Sequence, residues 1–335
     1  MKKIIYTLGL CLGLGLAGCN EFLDAKPDKA LLVPTTLADF QLLLNDDITM
    51  NVSNGLGILS DDDHFLKETS YNSLTSVLEK NSYIWAKDLF EGGNSAIWNT
   101  PYTQVFNANI VLAGLDKISP KPAEDATYQK LKGAAYFYRA WALFHTASAF
   151  ASQYSASNAA SVPGIPVYTK ADVNLRPGRG TLKACYDQIQ SDLKNALIFL
   201  SVQKEYLARP NKIAAFGLAA RVHMSMADYV NAGKYADSAL KYQNTLMDYN
   251  TISTTSTRPF TRTNVEVIYQ NRILNFGTFT STGTLIDSAL YKSYATNDLR
   301  KAIYFKSAIG GVNFKGSYDG TTNLFAGLTV DELYL

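Results

Sequence analysis

The stretch from Lys130 to Thr169 constrains the fold of this chain more than any other. From Leu131 to Phe150 it holds no proline and a single glycine, Gly133. Tyr136, Phe137, Tyr138, Trp141, Leu143, Phe144 and Phe150 occupy nearly every side of the helix that such a run predicts. A helix apolar all round is buried among other elements rather than laid on a surface. Arg139 and His145 interrupt it and must reach a polar partner or water. The run breaks at Ser152–Ser161, and Pro163 and Pro166 make Val162–Tyr168 extended.

Other helices follow from 3–4-residue apolar spacing. Thr36 is placed to cap a short helix through Leu37, Phe40, Leu43 and Leu44. Ser95–Ile118 repeats Trp98, Tyr102, Val105, Phe106, Asn109, Leu112 and Leu115, and Ser119–Pro122 ends it. Thr181–Leu200, Asn211–Tyr229 and Asn231–Tyr242 are the next three helices, with small residues at contact positions. The pattern predicts a mainly α chain of tetratricopeptide-like pairs, each burying its face on the next. After Tyr249 the texture changes to Ser/Thr-, Asn- and Gly-rich segments with short strand candidates such as Glu266–Gln270. Loops this long in a compact domain are usually functional. Leu328–Leu335 looks like the start of a helix.

The N-terminus carries Met1-Lys2-Lys3 and an apolar run from Ile4 to Leu16, the length of a secretory signal and too short to span a membrane. Leu16-Ala17-Gly18-Cys19 resembles the bacterial lipobox, in which Cys19 is the lipidated residue; two or more acyl chains anchor stably. Asn20-Glu21 resembles the acidic surface-export signal of Bacteroidetes lipoproteins. The expected layout is a signal peptide at 1–18, a lipidated tether at 19–34 and one domain at 35–335. Its helical scaffold spans about 95–245 and its loop-rich part about 246–327. Without Lys2 and Lys3 the 31 basic residues become 29, against 29 acidic, and a neutral balance gives no support for a nucleic-acid partner. Once Cys11 leaves and Cys19 carries lipid, Cys185 is alone, so neither an internal disulfide nor a cysteine metal site is expected.

No cofactor is implied. Asp61-Asp62-Asp63-His64 lacks the alternate spacing of a calcium loop and reads as a solvated turn. His145 and His223 lie in core-like helical contexts, and no nucleophile elbow, zinc-protease pair or phosphate loop is present. A glycosidase needs two carboxylates at a set separation. The candidates Asp61–Asp63, Glu266, Asp287, Asp298, Asp319 and Glu332 single out no pair. Binding chemistry fits better, because aromatic rings on loops can stack on sugar faces beside amide and carboxylate partners. Those rings and amides are Tyr71, Asn72, Tyr83 and Trp85, then Asn275, Phe276 and Phe279, then Tyr318. Loop packing is the competing role for each of them. Trp98 and Trp141, on helix faces, are expected in the core.

Taken in order, several stretches resemble the SusD/RagB family of Bacteroidetes nutrient-uptake lipoproteins. They are Cys19–Asp24 with Pro27, Tyr102–Leu112, Arg139-Ala140 with Gly164-Ile165-Pro166, and Tyr186–Ile189 with Ser191-Asp192-Leu193. Lys212–Met224, Asn264–Tyr269 and Asp298-Leu299-Arg300 complete the set. The resemblance implies a helical scaffold with a loop-rich ligand face and a lipid-anchored protein of the outer membrane facing the cell exterior. It also implies a partner, a SusC-type TonB-dependent transporter, and an oligosaccharide or polysaccharide ligand that is bound without cleavage. A surface interaction scaffold without small ligand is the alternative. Two departures stand out. The Glu common near Gly133-Ala134 is absent, and family members continue beyond a stretch like Leu328–Leu335. An incomplete last helical pair, with Leu333, Tyr334 and Leu335 exposed, is therefore expected.

Overall fold

The computed structural model describes residues 34–335 apart from 281, 317, 319 and 322; Cys19 and the stretch expected to be a signal peptide lie outside them. In chain order the elements are α1 (Leu37–Leu44), α2 (Asp47–Met50), β1 (Val52–Ser53), α3 (Leu56–Leu59), β2 (His64–Leu66), α4 (Glu68–Ser73) and α5 (Val77–Tyr83). The long helices follow: α6 (Ala96–Leu115), α7 (Asp125–Phe150), α8 (Leu182–Phe199), α9 (Lys212–Ser225) and α10 (Tyr229–Leu240). The remainder is β3 (Val267–Tyr269), β4 (Arg272–Ile273), α11 (Gly277–Thr280), β5 (Thr284–Ile286), α12 (Ser288–Ser293), α13 (Leu299–Tyr304), β6 (Phe305–Ala308), β7 (Gly311–Phe314), β8 (Leu328–Thr329) and α14 (Val330–Tyr334).

Side-chain caps set the helix starts. The Thr36 hydroxyl accepts from the Asp39 N–H while the Asp39 carboxylate accepts from the Thr36 N–H, a reciprocal capping box. Ser95, Thr181, Asn211 and Asp228 cap α6, α8, α9 and α10 in turn. α7 is flanked by α6 and α8 and buries Phe137, Tyr138, Trp141 and Leu143. The Tyr269 ring of β3 meets Phe137 and Trp141 edge-on, each at a centroid distance of 5.0 Å. The helix is therefore covered from the strand side as well, as its all-round apolarity requires. Gly133 lies against the end of α8: a Cβ there would lie 2.7 Å from Leu200 Cγ and 2.9 Å from the Leu200 backbone nitrogen, so a side chain at this position would force a shift.

Arg139 does find its partner. Its Nε and Nη2 donate to Asp192 at 2.8 and 2.6 Å, and its Nη1 donates to Asn109 Oδ1 at 2.7 Å, all buried. This ties α6, α7 and α8 at one point. Burial pushes the Asp192 carboxyl up, and the Arg139 contact opposes that shift.

Four two-stranded pairs attach the loop-rich part. β1 runs parallel to β4, β2 antiparallel to β5, β3 to β8 and β6 to β7. The first two bring the segment at 52–66 against that at 272–286. Asn51 reinforces this seam, its Nδ2 donating to the carbonyls of Ala208 and Gln270 and to the Tyr269 hydroxyl. The C-terminal residues correct one expectation. Leu333 is buried with Leu328 and Val330, while Tyr334 and Leu335 are exposed as anticipated. Among the described residues no helix is long and apolar enough to cross a membrane.

Candidate functional site

The β2–β5 pair carries an aromatic set built from both of its flanks. Tyr71 of α4 lies 5.7 Å from Tyr83 of α5, and Tyr83 lies 6.4 Å from the His64 ring of β2. His64 meets Phe279 of α11 edge-on at 5.2 Å. His64 Nδ1 sits 2.8 Å from an Asp61 carboxylate oxygen, and the Leu66 N–H donates to the Tyr83 hydroxyl at 3.0 Å, so the two rings are oriented by polar contacts. Lys80 Nζ sits 6.0 Å from the Tyr71 ring centroid and 3.5 Å from the Asn72 carbonyl. Beneath these rings the buried Glu79 carboxylate accepts from both the backbone N–H and the hydroxyl of Thr278, at 2.6 and 2.8 Å. That contact locks α5 to α11 and places Phe279, the next residue, beside His64.

Trp85 follows the set on the same chain segment. Its side chain is 74% exposed, yet its indole N–H donates to the Ser60 carbonyl at 2.9 Å. Its φ is +54°, left-handed for a bulky residue, a conformation that costs about 1 kcal/mol or more. The ring is thus fixed and presented to solvent at once.

The sequence candidates divide accordingly. Tyr71, Tyr83 and Phe279 meet through the His64 ring, with the Asn72 carbonyl beside Lys80. Trp85 lies two residues beyond Tyr83, against the Ser60 carbonyl and outside those ring contacts, and Asn275 is exposed on the neighbouring loop. Phe276 touches the set only through Phe279, edge-on at 6.4 Å. It is buried with Leu56, Leu59, Ile97 and Ile273 in a second core, facing Gly55, whose φ of +69° and lack of a side chain leave room for it. Tyr318 belongs to another set, packed on Phe260 at 4.8 Å and Phe325 at 5.7 Å, with its hydroxyl donating to Glu266 at 2.5 Å. Burial first, then that bond, pushes its phenol pKa up. Its neighbour Asp319 lies outside the described residues. Trp98 corrects the core expectation: it is half-buried on an open groove, whereas Trp141 is buried as expected. His64, Lys80 and Glu79 complete the site, and sequence reasoning missed their parts in it. The acidic run before His64 reads from sequence as a solvated turn, whereas His64 itself is buried on β2, and the Glu79 partner lies 199 residues away.

The carboxylates weighed for hydrolysis carry structural contacts. Glu266 accepts from the Met247 N–H and from Tyr318. Asp287 and Asp298 cap α12 and α13. Glu332 forms a two-pronged pair with Arg221 at 2.6 and 2.7 Å. Burial, then the charges of Asp61 and Asp62, pushes the Asp63 carboxyl up. Among the described residues no group of three His, Cys, Asp or Glu side chains is arranged to hold a metal ion.

A helix-repeat scaffold with a strapped-on loop region is an architecture shared with a known family. The SusD-like family model described as "Starch-binding associating with outer membrane" matches residues 21–224, and the chain belongs to this family. Solved structures agree on the fold. A SusD superfamily protein from Bacteroides thetaiotaomicron superposes with a TM-score of 0.72 at 18% identity, covering 89% of this chain and 74% of the other. One from Bacteroides vulgatus gives 0.70 at 17%, covering 90% and 74%. A laminarin-binding SusD-like protein gives 0.65 at 13%, covering 90% and 78%. No curated protein sequence matches the chain.

Proposed function

We propose that this chain is a cell-surface lipoprotein that binds a glycan at the Tyr71–Tyr83–Trp85–Phe279 surface and passes it to a SusC-type TonB-dependent transporter without cleaving it. Trp85 carries the reading. A large ring left in solvent forfeits its burial energy, and a left-handed backbone adds strain. Both are tolerated for a ring that is held ready, because a preformed surface loses little entropy on binding. The C–H face of a pyranose lies on such a ring, and the Asn72 and Asn275 amides and Lys80 are within the same region for its hydroxyls. Cys19 would carry the lipid and residues 20–34 the tether, so that 35–335 forms the ligand-handling domain at the pore.

The family description and the laminarin-binding relative choose the first probes, starch and laminarin. In affinity electrophoresis the mature chain is expected to be retarded by at least one polysaccharide of a panel that includes both. Trp85→Ala should cut that apparent affinity about fivefold or more, taking as the guide the roughly 1–3 kcal/mol of a nucleobase stacked on one aromatic. No retardation by any glycan would sink the reading, and unchanged affinity in Trp85→Ala would remove this surface from it.

A further inference from the structure

A second set of rings lies on α6 and is not used above. Trp98, Tyr102 and Phe106 recur at every fourth residue and are all half-buried, while Ile97, Pro101 and Val105 face the core. At 1.5 Å per residue the ladder is about 12 Å long, more than one sugar ring. Trp98 and Tyr102 have their centroids 4.9 Å apart, and Tyr168 meets Tyr102 edge-on at 5.5 Å. The opposite wall is the segment 166–176, which encloses an open groove of about 390 Å³ with the ladder. That is within the usual size of a small-ligand site.

The wall is held in place rather than draped. The Tyr102 hydroxyl donates to the Pro166 carbonyl at 2.9 Å, and the Asn109 amide donates to the carbonyls of Tyr168 and Lys170. The apolar rim residue Val173 is 65% exposed, an arrangement that leaves the groove open to solvent. Around the rings stand Asn99, Thr103, Asp172 and Arg176. One acid and one base cancel, so the groove selects neither an anion nor a cation. The Asn99 amide donates to Asn94, the Thr103 hydroxyl to the Asn99 carbonyl and Arg176 to the carbonyls of Val173 and Leu175. An apolar peptide would cover the rings but leave unused the donors and lone pairs these groups keep beyond those bonds. A neutral polyhydroxylated chain satisfies both kinds of surface. Among the described residues no ring contact joins this ladder to the Tyr71–Tyr83–Phe279 set.

We infer that the groove between α6 and residues 166–176 is a second carbohydrate subsite that takes a short neutral oligosaccharide segment, independent of Trp85. It rests on the glycan-binding reading, and the two fail differently. The chain has three tryptophans, Trp85, Trp98 and the buried Trp141. In a Trp85→Phe chain, emission that responds to sugar therefore reports chiefly on Trp98. Titration of that chain with laminarihexaose and with maltohexaose should give a saturable change for one of them. Adding Asn99→Arg, which projects a long cation over the ladder from an exposed position, should weaken it at least tenfold; Thr103→Lys, one turn along, is the second blocking variant. Unchanged thermal melting identifies a blocked groove rather than a misfolded one. If Trp85→Phe shows no saturable change while the parent chain still binds polysaccharide, or if the change survives both blocking variants, the second subsite is refuted and the Trp85 surface stands. If the parent chain binds no glycan at all, both fall.

Discussion

The helical repeat and the strapped-on loop region use the same residue types in opposite ways. Along the buried stretch of α7, aromatic rings such as Phe137 and Trp141 are shut away, and the charge of Arg139 is answered by Asp192 and Asn109 inside the core, whereas the outer face of α6 leaves rings part-exposed. Around β2 and β5 the secondary structure is three to seven residues long, rings stay half in solvent, and polar groups such as Glu79 and Ser60 act to hold them there. The scaffold resists change because each side chain has many neighbours. The loop region is held by a few long-range contacts, so its order depends on single bonds. What separates a stable repeat from a binding surface here is where the hydrogen bonds are spent, not how apolar the residues are.

The comparison breaks most visibly at Arg139. Arg139→Met would leave Asp192 buried without its cation, and removing one partner of a buried pair costs about 3–5 kcal/mol. Denaturant unfolding should show a loss of that size. The double variant Arg139→Met, Asp192→Leu should recover much of it, since an apolar pair of similar volume needs no charge compensation. A smaller and more local effect is expected in the loop region. Glu79→Ala strands the buried Thr278 N–H, worth about 1–3 kcal/mol. Hydrogen exchange should rise at residues 277–286 while α6–α8 keep their protection, and glycan affinity should fall because Phe279 is no longer placed. A global loss of protection would show instead that the two regions unfold as one.

The difference also decides what was legible in the chain. The five long helices were readable, within a few residues at their ends, because apolar periodicity and capping residues are local signals. Arg139 announced that it needed a partner, but nothing local points to Asp192, which lies 53 residues away. The loop region gives weaker signals. A two-residue parallel pair such as β1–β4 has no sequence pattern of its own, and the short helices α2–α5 fall below the length at which periodicity speaks. Phe276 looked like a loop ring and is core because Leu56, Leu59, Ile97 and Ile273 gather around it, from segments far apart in the chain. Trp98 looked like core because a ring at every fourth helical position usually is. Its exposure depends on where residues 166–176 run, which only the folded chain shows. Tyr71, Tyr83, Trp85 and Phe279 were proposed on a chemical criterion, aromatic residues away from the long helices; three of them lie on the short helices α4, α5 and α11, which the sequence does not announce.

His145 tests the seam between the regions. It sits on α7, its carbonyl accepts from the Asn54 amide, and it shares a cavity wall with Arg221 and with residues 325–327 from the loop side. Its Nε2 is enclosed with no hydrogen-bond partner, and the ring lies between Trp141 and Phe144. Burial first, and then the Arg221 charge, lowers its pKa from 6.5 to about 3. The unfolded chain therefore binds a proton between pH 6.5 and about 3 that the folded chain refuses. Stability from this group is intact above pH 6.5 and falls as the pH drops below it. Its limiting slope is about 1.4 kcal/mol per pH unit. His145→Phe removes the group, so the stability of the parent chain should fall more steeply than that of the variant between pH 6.5 and 5. Parallel slopes would mean that the seam opens enough to let the imidazole take up its proton, and that the loop region is attached more loosely at Arg221 and Glu332 than their bond lengths imply.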